Sequence, residues 1–301
     1  MRVTDVLDFA LRCAVVVFMM GTLGGVGLGL AVRDVGAPLK QASFVALSLF
    51  LCWIVCPVIA VLLLRLVPLE PGYATGLLLL SLAPCAPFAP AMTQIARGDQ
   101  AYMAALVLLT AASTVVMMPI AMPLLVEGFS ADAAAIARPL VLFVLLPLFI
   151  GMAVRARWRA AADELLPVVG VVTSFAGGAL LVLTGVRHGG AVLGAIGSLA
   201  IATQVLYFAA VTAAAYVFGS ALPHERRSVL TLGLCTRNLG AALAPLAATD
   251  YAPGAMVMIV IAVPVTLGLS LGVAHWLARR ERARHAPPPR RAPVHTPAGS
   301  A

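Results

Sequence analysis

The chain has 301 residues, of which 62% are hydrophobic and only 11% charged, with a formal net charge of +8 and a mean hydropathy of +1.03. An ordinary soluble domain carries roughly 25% charged residues, so a soluble core cannot hide this much apolar side chain. The basic balance is not the mark of a nucleic-acid binder, because no basic stripe lies on a foldable soluble segment; it fits arginines that face anionic lipid and the cytosol.

Apolar runs of about 20 residues, each long enough to cross the roughly 30 Å hydrocarbon layer, recur at about 13–32, 42–64, 73–96, 102–126, 136–154, 165–187, 191–218, 228–248 and 254–277. They predict an all-α polytopic membrane protein with about nine transmembrane helices. The first run follows Asp5 and Asp8 and lacks a clear small-residue cleavage site, so it reads as a retained helix and not as a cleaved signal. The third holds "LAPCAPFAPAMTQ", Leu82 to Gln94, with Pro84, Pro87 and Pro90 at every third position. Each proline removes a donor and clashes with the carbonyl four residues back, so this helix is broken inside the membrane. The eighth, "SVLTLGLCTRNLGAALAPLAA", carries Gly233, Gly240 and Pro245 around the polar triplet Thr236, Arg237 and Asn238. The last residues, 278–301, are rich in Pro, Arg and Ala and are expected to be a disordered basic tail.

Runs one to four superimpose on runs six to nine at a nearly constant offset of about 150 residues. Repeat one is expected at 13–126, a linking helix at 136–154 and repeat two at 165–277, all within a transporter domain covering 1–277. Four helices, one connector and four helices make the second set enter from the opposite face, an inverted repeat whose discontinuous helices meet near the midplane. Lys and Arg of short loops stay on the cytoplasmic side; placing the C-terminus there puts fourteen of them inside and five outside. The expected location is the bacterial inner membrane, N-terminus outside and C-terminus cytoplasmic.

The acidic residues all fall at run ends, in loops or in the tail. Proton relays and hard cations want carboxylates at depth, and no catalytic group, metal ligand set or cofactor is expected there. Arg237 is the one deeply placed charge, at an insertion cost of roughly 2.5–3.5 kcal/mol. Its partner could be a substrate, a carbonyl of a broken helix, or a loop-end acid such as Asp99 or Asp250. Unpaired amides at the half-helix starting near Asn238 would attract an anion. Pro87, Pro90, Thr236, Arg237 and Asn238 are therefore candidate substrate contacts. Thr93, Gln94 and Gln204, with Thr203 and Tyr207, either line a polar cavity or serve as interhelical hydrogen bonds. Cys13, Cys52, Cys56 and Cys235 lack metal spacing and read as small packing residues.

"ARGD" after the first broken helix, "AYMAALVLLTAASTVVMMPIAMPLL" after it, and "RNLGAALA" in the second resemble the bile acid:sodium symporter family, whose superfamily also holds arsenite exporters. The resemblance covers about 13–277. It implies a core domain with two crossed discontinuous helices and a panel domain that moves against it; with the inverted repeat, the two breaks and the buried cation, the leading reading is a secondary carrier of a small organic anion. The family's sodium ligands are mostly missing: Asn238 matches, while their other positions fall on Ala89, Pro90, Met103, Val107, Gly233 and Arg237. Arg237 is accordingly read as a stand-in for the ion, and sodium coupling is doubtful. Cys85 in "APC" resembles the thiol of the arsenite exporters, so a metalloid exporter is the alternative reading. A membrane sensor without transport is the reading from another class.

Overall fold

The structure is a computed structural model describing residues 3–30, 32–126, 132–248 and 253–284. Among these residues fifteen α-helices follow one another: α1 (Val3–Gly29), α2 (Val32–Leu39), α3 (Ala42–Phe50), α4 (Cys56–Leu66), α5 (Pro71–Leu82), α6 (Ala89–Ile95), α7 (Gln100–Leu125), α8 (Ala133–Leu140), α9 (Leu146–Arg157), α10 (Arg159–Arg187), α11 (Gly189–Gly197), α12 (Ala200–Phe218), α13 (His224–Cys235), α14 (Leu239–Leu243) and α15 (Pro253–Arg284). No strand occurs among the described residues. Among the described residues eight helical stretches are long and apolar enough to cross a membrane, one of them, His224–Leu246, interrupted at 236–238. The ninth predicted run is the proline-broken one, whose halves α5 and α6 are each too short to count.

The prolines act locally. Ala83 is extended (φ −73°, ψ 148°), as a residue before proline prefers to be, so α5 stops one residue short of Pro84. Pro57 and Pro147 instead leave their helices continuous. Each lies just after a single π-helical turn, Leu51–Val55 and Val141–Leu145, which absorbs the missing donor and the crowding of the ring. The second break contains no proline at all. Thr236 returns its hydroxyl to the carbonyls of Leu232 and Gly233, at 3.1 and 3.3 Å, and Asn238 caps α14 through Ala241 N–H at 3.1 Å. Side-chain capping ends one half-helix and starts the next.

Three boundaries differ from expectation. The seventh run is not one helix: α11 and α12 are separated at Leu199, which sits at φ 61°, a left-handed conformation that a leucine adopts rarely. The first helix begins about ten residues earlier than 13, because the polar positions Asp5 and Asp8 are still within its helical turns. The last extends through Arg284, so residues 278–284 are helical; 285–301 lie outside the described residues, as does the loop holding Glu127.

The helices form two packed groups. One contains α1, α9 and α10, with α1 against both others. Here backbone meets backbone: a Cβ on Gly27 would lie 2.2 Å from the Leu148 carbonyl oxygen, and one on Gly151 would lie 2.4 Å from that of Gly24. Only glycine permits this approach, a common device where lipid removes the hydrophobic drive between helices. Arg187 Nε bonds Asp8 at 2.6 Å, tying the end of α10 to the start of α1. The other group holds α4, α5, α7, α12, α13 and α15, which pack on one another. The two broken helices cross inside it.

Candidate functional site

Each member of the polar triplet touches a consecutive residue of the first break. Asn238 N–H donates to the Pro84 carbonyl at 2.8 Å, an Arg237 N–H donates to the Ala83 carbonyl at 3.0 Å, and the Thr236 hydroxyl lies 3.8 Å from the Cys85 thiol. Thr110 of α7 accepts the freed Cys85 amide at 3.2 Å. Buried backbone groups exposed by a break must find such partners, since no lipid can supply them. The crossing satisfies three of them at once.

Arg237 is 1% exposed. Beyond Ala83, its terminal nitrogens donate to the sulfurs of Cys52, at 3.4 Å, and Cys56, four residues apart, the first within the π turn and the second at the start of α4. These two thiols, expected as mere packing, are the guanidinium's acceptors. Cys-x-x-x-Cys places both on one helical face, and with one unpaired charge at depth that spacing was the available signal. Among the described residues no acid partners Arg237: Asp99 caps α7, accepting from the Ala101 and Tyr102 amides at 2.9 and 3.2 Å. Asp250 lies outside the described residues.

Between the two helix groups is a cavity of about 610 Å³. Its floor is the crossing, with Pro87, Phe88, Pro90, Arg237 and Asn238; its opposite wall is α1 and α10. Among the described residues no Asp or Glu lines it. Three residues of the lining each keep a buried polar atom without a protein partner: Arg237 Nε, Asn238 Nδ2 and Thr173 Oγ1. The free amides expected at the start of α14 are only partly free, since Asn238 N–H is given to Pro84 and Ala241 N–H to the Asn238 cap.

Four of the expected site residues thus meet at the cavity, Pro87, Pro90, Arg237 and Asn238. The rest lie elsewhere. Thr236 is buried behind the crossing, Thr93 is buried outside the cavity lining, and Gln94 is exposed. Gln204 is buried between α12 and α15, where its amide donates to the Met258 carbonyl at 2.7 Å, an interhelical bond. Thr203 bonds its own helix at Leu199, and Tyr207 lies beside the guanidinium. Cys85 is 3% exposed and does not line the cavity. Thr22, Gln100, Thr173 and Ser174 line it and were not anticipated; they are single polar residues in apolar runs, with no spacing to mark them.

An all-helical bundle of membrane-crossing length, with two broken helices crossed beneath a cavity, defines a polytopic membrane transport protein. Residues 14–195 match the profile of the Sodium Bile acid symporter family, and the chain belongs to that family. Its members are transporters and not enzymes. The match contains the first break and ends before α12, so Arg237 and Asn238 lie beyond it. No curated protein matched the chain.

Proposed function

We propose that the protein is a secondary transporter of a small organic anion that binds in the cavity between the two helix groups. The observation that carries this reading is that two lining residues at the crossing, Arg237 and Asn238, each keep a buried donor without a protein partner, Nε and Nδ2, in a cavity that no carboxylate lines among the described residues. A buried donor without an acceptor costs on the order of 1–3 kcal/mol, and a carboxylate or similar oxyanion regains it. The apolar remainder of the wall, with Phe18, Val26, Leu30 and Phe88, accommodates an organic body.

In this reading Arg237 is a permanent cation where a sodium-coupled relative would load an ion. A guanidinium stays protonated at all working pH values, and it cannot leave with the substrate. Its charge helps hold an anion while coupling the movement to no sodium gradient. The helix order on either side of α8 and α9 recurs, α1 to α7 against α10 to α15, which supports the inverted repeat. Cavity residues gather toward the C-terminal end of α1 and the N-terminal ends of α7 and α10, three ends on one side of an alternating bundle. With the N-terminus outside, that side is the cytoplasm and the conformation faces inward.

The test is uptake of candidate anions into proteoliposomes, with sodium replaced by choline. Unchanged uptake is expected, together with loss of transport in Arg237→Gln. A strong sodium requirement in the unmodified protein overturns the stand-in role, and an unchanged rate in Arg237→Gln removes the residue from the transport path.

A further inference from the structure

Away from the cavity, α12, α13 and α15 bring two arginines onto one tyrosine. The Arg227 guanidinium carbon lies 3.3 Å from the centroid of the Tyr216 ring, and its Nε donates to the Tyr216 carbonyl at 2.8 Å. Arg280 reaches the same ring from its hydroxyl edge, 5.8 Å from the centroid and 2.9 Å from the phenolic oxygen. Arg280 also stacks over Trp276 at 4.3 Å, and Trp276 meets Tyr216 edge-on at 5.0 Å.

Among the described residues neither arginine has an acidic partner within 4.0 Å, and the neighbouring Glu281 faces His224 at 3.2 Å. Like charges held on one ring repel, and the ring quadrupole offsets only part of that. An anion bridging the two guanidiniums removes the repulsion, and several of their N–H groups remain free to bind it. The surroundings say which anion. Leu269, Val273, Trp276 and Arg280 are spaced four, three and four residues apart, so they form one ridge of α15, and all four are partly or fully exposed. Along that ridge the order is aliphatic, aliphatic, aromatic, cationic, the order of acyl chain, interface and headgroup in a bilayer.

We propose that this cluster is a binding site for an anionic phospholipid, its phosphate held between Arg227 and Arg280 and one acyl chain lying on the Leu269–Val273 ridge. The site is distinct from the transport cavity and does not depend on what the cavity carries. The full chain, purified in a non-ionic detergent, is titrated with phosphatidylglycerol or phosphatidylcholine of identical chains, and retained lipid is counted by native mass spectrometry. One phosphatidylglycerol is expected to be retained with roughly thirty-fold preference, about fivefold for each arginine near the surface. The preference should fall to near parity in the Arg227→Gln/Arg280→Gln variant and survive in Arg97→Gln, an exposed arginine outside the cluster. If the double variant does not fold, Arg280→Gln alone, at an exposed position, should reduce the preference to about fivefold. Equal retention of the two lipids by the unmodified protein, or a preference undiminished in Arg280→Gln, overturns the site. Displacement of the lipid by millimolar inorganic phosphate at matched ionic strength overturns the lipid assignment in favour of a soluble anion.

Discussion

The amide of Asn238 donates to the carbonyl of Pro84 across 2.8 Å, so the residue that caps one half-helix also closes an acceptor left open by the other. Its side chain divides the remaining work. Oδ1 accepts from Ala241 N–H, and Nδ2 is left without a protein partner. Asn238→Asp keeps the cap and replaces the free donor by a charge that repels an anion. It should fold normally and lose substrate binding by at least tenfold. Asn238→Ala should also lose about 1 kcal/mol of stability with the cap. Thermal unfolding and a binding titration on both variants separate the roles, and full affinity in the Asp variant would move the binding site elsewhere.

The thiol acceptors of Arg237 are open to the same kind of test. Cys56→Ala leaves part of a buried guanidinium without an acceptor and should cost roughly 1.5–3 kcal/mol, whereas Cys56→Ser keeps a lone pair in reach and should cost less. Thermal unfolding in detergent measures the difference. Equal stability of the two variants would reduce Cys56 to a packing residue.

Gly240 is where the core-forming crossing meets α1. A Cβ there would lie 2.9 Å from Met19 Cγ and 3.1 Å from Met19 Cα, the second of which is backbone and cannot turn aside. Gly240→Ala should therefore push the two helix groups apart at this end and shift the conformational balance. The expected readout is slower transport together with faster labelling of a cysteine placed at Met19. Unaltered labelling would show that the contact gives way without cost.

A reporter fused after Ser300 should be active only in the cytoplasm, and one placed before Thr4 only outside. Both ends on one face would contradict nine crossings and, with them, the inverted repeat.

The architecture was legible because lipid makes it so. Only runs of about 20 apolar residues can cross, and Pro84 to Pro90 had to break one of them. The pairing across the two breaks was not legible, since nothing in "TRN" names Ala83, Pro84 and Cys85 as its partners. The second break was located through Gly233, Gly240 and Pro245, yet it is made by the side chains of Thr236 and Asn238. The glycines serve packing: a Cβ on Gly233 would meet Leu106 at 2.3 Å. Leu199 was missed for a different reason, because a single residue at positive φ leaves no trace in an apolar pattern.

The two thiols and one carbonyl around Arg237 come from α4, the π turn before it, and the end of α5, while the arginine lies between α13 and α14. One side chain thus rivets three separate stretches of chain, and none can slide past another without shedding buried donors. Whatever shear accompanies transport has to be taken up somewhere softer, and α1, α9 and α10 offer it: a slab joined to the riveted block by short links and facing it across a hollow. The guanidinium in this way fixes which part of the molecule is anvil and which is hammer.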